Sequence, residues 1–165
     1  MRVLMAYPRP MPDLLSLIPQ LTAPLIGQAP WAVRLGWGSN LTLEFGPKVA
    51  ARSPKYEHGE WHLWVHMAGW RVEDSTGVIL GCEDDQAVIQ DQIKILENRP
   101  LVSFEVSSVG WDTLIGFEGG VFLRLFGTAF GEERFGEYWL LFTPENKVLA
   151  VRPGSRLAYE DSDKA

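Results

Sequence analysis

Apolar and polar residues alternate along LTLEF (41–45), VFLRLF (121–126) and EYWLLF (137–142). A period of two predicts strands that turn one face to a core. The segments around them carry turn chemistry: Asp74-Ser-Thr-Gly, Gly119-Gly120 and Thr143-Pro-Glu-Asn, the marks of hairpin connections. The period changes in DDQAVIQDQIKILENRP, where Ile89, Ile93 and Leu96 form one stripe, Asp84 or Asp85 can cap the start, and Asn98 with Pro100 supplies the stop. This predicts a helix over 84–98. A weaker helix is predicted through DLLSLIPQL from Asp13, with Pro19 shortening or bending it.

Laid side by side, the two halves follow one succession. The first reads helix, LIG at 25, SNLTLEFG, GEWHLW, the turn EDSTG and VIL; the second reads helix, LVS at 101, GVFLRLFG, GEYWLL, the turn TPENK and VLAV. Such a succession predicts one α+β domain over 1–165, with a largely antiparallel sheet built from two degenerate helix-plus-meander repeats, 13–82 and 84–154. The tail 160–165, EDSDKA, is charged and has no large apolar residue, so it is expected to fray.

All three histidines lie in HGEWHLWVH, at 58, 62 and 66. On a helix this spacing would put them on one face, close enough to chelate. On a strand they also share a face, but His62 and His66 would stand about 13 Å apart. The parallel with the aromatic-rich GEYWLL, and a glycine at 59, favour a strand. Trp61, Leu63, Val65 and Met67 then face the core, and Glu60, His62, Trp64 and His66 face away. Two histidines about 13 Å apart cannot share a zinc ion with bonds of about 2 Å, so no metal is expected unless a neighbouring strand supplies the missing ligands. Glu44 alternates away from Leu43 and Phe45 and can lie across the ladder from that polar face. With His62 and His66 it forms the acid–base candidate, unaccompanied by a nucleophile.

Composition narrows the function classes. A chain of 165 residues, 46% hydrophobic and 22% charged, suits one domain with a sizeable core. Fifteen basic against 21 acidic residues, a net charge of -6, argues against a nucleic-acid partner held by phosphate contacts and leaves room for a basic protein partner. The single cysteine, Cys82, excludes an internal disulfide framework and fits a reducing compartment. Pro8, Pro10 and Pro12 break the opening segment before an apolar run of signal-peptide length, and no stretch approaches the ~20 apolar residues of a membrane span. The expectation is a cytoplasmic protein without a membrane partner. There is no P-loop, GxGxxG, GxSxG, HExxH or paired CxxC, so no catalytic residue is assigned and no cofactor is expected. Of the seven tryptophans, Trp37, Trp64 and Trp70 fall off the predicted core faces; with Glu44, Glu60, His62 and His66 they make the candidate binding set. Two loops of opposite charge, PKVAARSPKY (47–56, with Lys48, Arg52 and Lys55) and GEERFGE (131–137, with Glu132, Glu133 and Glu137), can pair with each other or meet a partner.

The blocks LGWGSNLTLEFG, GEWHLWVHMAGWRV and YWLLFTPENKVLAVRPGS, in order over most of the chain, resemble a family of small bacterial proteins of unknown function. Its members read GxGSxLTLEFG, GEWHLW and W-x-L-F-T-P-[DE]-x-x-V-L. The resemblance implies a shared fold and a bacterial source, and it carries no activity with it. Trp37 stands where the resemblance leads one to expect a histidine. Small acidic cytosolic chains with degenerate repeats are also similar in kind to immunity proteins of bacterial toxin systems, an analogy of type. The expected function is a non-enzymatic protein-binding module, immunity-like in character. The alternative is a small-molecule or metal-dependent enzyme using the His/Glu face of the sheet.

Overall fold

A computed structural model describes residues 12–50, 57–128 and 136–162. Helix α1 (Pro12–Thr22) runs into a 3-10 turn, Ala23–Leu25, and is followed by β1 (Ala32–Leu35), β2 (Leu41–Val49), β3 (His58–Val65), β4 (Gly69–Asp74) and β5 (Gly77–Gly81). Helix α2 (Gln86–Gln92) tightens into a second 3-10 turn, Ile93–Leu96. The chain then forms β6 (Leu101–Ser107), β7 (Asp112–Phe117), β8 (Val121–Phe126), β9 (Trp139–Phe142), β10 (Lys147–Arg152) and β11 (Arg156–Asp161). One sheet has the order β1-β2-β3-β9-β10-β11, the other β5-β4-β8-β7-β6. The pairings in both are antiparallel.

The result is the α+β domain that the alternation predicts, with the antiparallel strands divided between two sheets. Inward residues of both sheets belong to one core: Leu43, Leu63 and Leu141 from the first, Val72, Ile115 and Leu123 from the second. Phe104 on β6 meets Trp139 on β9 edge to face, ring centroids 5.9 Å apart, which ties sheet to sheet. The helices contribute Ile18, Ile89, Ile93 and Leu96 to the same core. Among the described residues, no helix is long and apolar enough to cross a membrane.

The local signals translate into specific contacts. The Asp85 carboxylate accepts the Ala87 N–H at 2.9 Å and caps α2. Asn98, with φ 59, adopts the left-handed conformation that ends the helical run. Helix α1 continues through Pro19 to Thr22. In β3 buried and partly exposed residues alternate without a break, placing Trp61, Leu63 and Val65 inward; Met67, just past the strand, packs partly buried against the core.

Two expectations need correction. The tail does not begin to fray at 160, because β11 runs to Asp161, with Glu160 paired to Arg152 and Asp161 to Lys147 at 2.9 Å. Leu157 and Tyr159 of this edge strand pack partly buried against the core, and ladder bonds and charge pairs across β10 carry the pairing on through its polar end. Residues 163–165 lie outside the described residues. Trp70 is not an outward residue: it is 1% exposed and lies in the core. Residues 66–68 carry the chain from one sheet to the other, and β4 begins a new alternation whose phase β3 does not set.

The order of elements recurs in the two halves. β1, β2 and β3 enter one sheet and the hairpin β4–β5 the other; β6, β7 and β8 enter the second sheet and the hairpin β9–β10 the first. The sequence blocks do not keep step with that order, since LTLEF lies on the second strand of its half and VFLRLF on the third of its own.

Candidate functional site

Strand β2 alternates as expected until Glu44, whose side chain points away from the shared core yet is fully buried. Glu44 stands directly across the ladder from His62. Its Oε1 accepts from His62 Nδ1 at 2.7 Å and from His58 Nδ1 at 3.2 Å, and its Oε2 accepts the Gly59 N–H at 2.8 Å. The two imidazoles pack edge to face, centroids 4.7 Å apart, with the Phe142 ring 5.6 Å from His62. Arg34 approaches Oε1 from β1 at 3.6 Å.

A flat strand would hold His58 and His62 about 13 Å apart. They meet here because β2 bulges between Phe45 and Lys48, opposite Glu60. Gly46 takes φ +72 at the start of the bulge, the left-handed conformation in which glycine is strain-free, and Pro47 follows where the ladder is already interrupted. The Trp31 indole N–H binds the Gly46 carbonyl at 2.9 Å, and the Lys48 ammonium lies over the Trp31 ring at 5.1 Å. The bulge bends the ladder, and the two side chains converge on one carboxylate oxygen.

Burial alone would raise the Glu44 carboxyl group above its ordinary pKa. The hydrogen bond and charge of His62, with the bonds from Gly59 and His58, outweigh that effect and hold it below the usual carboxylate value. Glu44 is therefore ionised at neutral pH. A buried carboxylate beneath two imidazoles can orient His62 as a proton acceptor, or offer three donor atoms to one cation. Among the described residues, Glu44, His58 and His62 form a group whose candidate ligand atoms all lie within 4.8 Å of one another.

Of the residues singled out in the sequence, Glu44 and His62 come together and the others do not join them. His66 stacks near Trp64, centroids 4.7 Å apart, with Glu137 4.0 Å from its Nδ1. Trp64 packs partly buried with Phe142 against Leu140, Val148 and Ala150. Glu60 lies against the bulge at Gly46. Trp70 belongs to the core, where its indole N–H binds the Ser39 carbonyl at 2.7 Å. His58 is the member that strand spacing leaves out, although Gly46-Pro47 inside a strand pattern is a bulge signal and was the clue to it. Of the charged loops, Lys48 pairs with Glu57 at 2.7 Å and Glu137 with Arg152 at 3.8 Å. Arg52, Lys55, Glu132 and Glu133 lie outside the described residues.

Trp37 forms a second, separate feature. It is 94% exposed, on the loop between β1 and β2. That loop is pinned by Gly36 N–H to Asn40 O at 2.7 Å, Ser39 Oγ to Cys82 O at 2.6 Å and Gln86 Nε2 to Gly38 O at 2.9 Å. Glu83, Asp84 and Asp85, all exposed, lie between those last two anchor points. Beside the loop opens a cleft of about 250 Å³, lined in part by Ser39, Asn40, His66 and Cys82. Comparison with protein-family models, curated proteins and solved structures finds no match.

Proposed function

We propose that the protein is a non-enzymatic protein-binding module of the bacterial cytoplasm, immunity-like in type, that grips its partner around Trp37. The observation that carries this reading is a tryptophan 94% exposed on a loop held from several sides. Burying an aromatic side chain is worth a few kcal/mol, and this loop forgoes that gain. A loop already fixed by its own hydrogen bonds loses little freedom on docking, so an indole presented there is suited to anchoring a partner. The exposed acidic turn 83–85 and the net charge of -6 favour a basic partner surface. The likeness of three ordered sequence blocks to a bacterial family rests on those blocks alone and adds the bacterial setting to the proposal.

The test uses the full chain and Trp37→Ala as baits in extract of the native host. The expected result is a stoichiometric protein partner, released as salt rises and bound about thirtyfold more weakly by Trp37→Ala, the loss of an anchor worth roughly 2 kcal/mol. No partner at any salt concentration, or one held equally by both baits, would count against the reading. The second reading, a small-molecule or metal-dependent enzyme, is favoured by one observation: the buried Glu44 carboxylate shared by two imidazoles.

A further inference from the structure

We propose that Glu44 Oε1, His58 Nδ1 and His62 Nδ1 bind a divalent transition metal, with zinc the best fit, at the bulge between β2 and β3. This site is independent of the Trp37 surface. Ligands bound to one zinc at about 2.0–2.1 Å lie about 2.9–3.4 Å from one another, depending on whether the geometry is octahedral or tetrahedral. The carboxylate oxygen lies 2.7 and 3.2 Å from the two nitrogens. Both distances are close to that range, and the candidate ligand atoms of all three residues lie within 4.8 Å of one another, so small side-chain shifts would gather them around one ion.

The donor set selects the class of metal. Two imidazoles and one carboxylate suit zinc and its first-row neighbours, whereas calcium and magnesium favour all-oxygen cages. Two neutral imidazoles with one carboxylate leave a bound dication at a net charge of +1. Glu44 is prepared for single-oxygen ligation, because the Gly59 N–H occupies Oε2 at 2.8 Å and leaves Oε1 to face the histidines. His58, with 32% of its side chain exposed, gives a path in from solvent. Three protein ligands leave the remaining coordination positions to water or another ligand. The Arg34 guanidinium, 3.6 Å from Oε1, is the competing cation. It also donates to the Glu57 carbonyl at 3.3 Å, and with 33% of its side chain exposed it has room to turn outward.

A carboxylate merely satisfied by two imidazoles would show the same contacts, and metal uptake separates the two cases. Full-length protein stripped with chelator is titrated with zinc chloride near neutral pH by calorimetry, with thermal unfolding followed in parallel. One equivalent of zinc is expected to bind with micromolar or tighter affinity and to raise the melting temperature. Affinity should fall about a hundredfold or more in His58→Ala and Glu44→Gln, while His66→Ala binds as wild type. His58→Ala replaces a partly exposed side chain, so it keeps the comparison valid if Glu44→Gln proves unstable. Cobalt(II) provides a second readout: a ligand-field spectrum of a nitrogen- and oxygen-ligated ion, absent from His58→Ala. Lack of zinc uptake by the wild type, or equal uptake by His58→Ala, would overturn the proposal.

Discussion

Gly59→Ala is expected to destabilise the protein by about 3 kcal/mol or more, above the usual range for overpacking. A Cβ at this position would stand 2.2 Å from the Phe45 carbonyl oxygen and 2.8 Å from the Phe45 nitrogen. Both are backbone atoms of the partner strand, so no rotamer change can relieve the clash. The two strands must separate beside the bulge, and that movement also draws the Gly59 N–H away from the Glu44 carboxylate it donates to. Loss of stability and of any zinc uptake should therefore appear together. Gly81→Ala is the control: the nearest atom to its added Cβ is 3.9 Å away, and the change should be within about 1 kcal/mol. Urea unfolding of the three proteins decides the matter. Equal midpoints for Gly59→Ala and wild type would show that β2 and β3 do not approach each other as described.

The second large effect is expected at Leu63, near the middle of β3. It is 1% exposed, lies opposite Leu43 on one side and Leu141 on the other, and faces the core shared by both sheets. Leu63→Ala should cost about 2–5 kcal/mol, the sum of lost burial and of the cavity left where neighbours on both flanking strands hold their places. His66→Ala, on the opposite side of the alternation and partly exposed, should cost under about 1 kcal/mol. Chemical denaturation with unchanged slope measures both. If the two variants cost the same, the inward face of β3 has been assigned wrongly and every side chain on it is inverted.

Local pattern made the elements legible because it is a property of neighbouring residues. The alternation of VFLRLF delimits β8 residue for residue, GEWHLWV orients β3, Asp85 starts α2, and Asn98 ends the turn that follows it. Glu44 and His62 were also within reach, since two strands that pair bring their outward residues face to face. What lies beyond a break in the pattern was not. Trp70 follows a crossing between sheets that resets the phase of burial, and no periodicity carries across it. Glu160 and Asp161 look like a solvated tail until β10 provides cations and ladder bonds opposite them.

The candidate centre shows the same division. The sequence by itself determined that His58, His62 and Glu44 are outward residues of strands, because a two-residue period and the burial of Leu63, Phe45 and Trp61 decide the facing of everything between them. Only the tertiary structure decided that these outward residues share one buried point. A strand taken as straight separates His58 from His62, whereas the real β2 inserts a residue at Gly46-Pro47, is held there by Trp31, and turns the ladder so that both rings reach Glu44. The physical reason is that alternation specifies a direction for each side chain, while convergence depends on the curvature of the sheet, and that curvature is set by a bulge and by an indole lying outside the strand pattern.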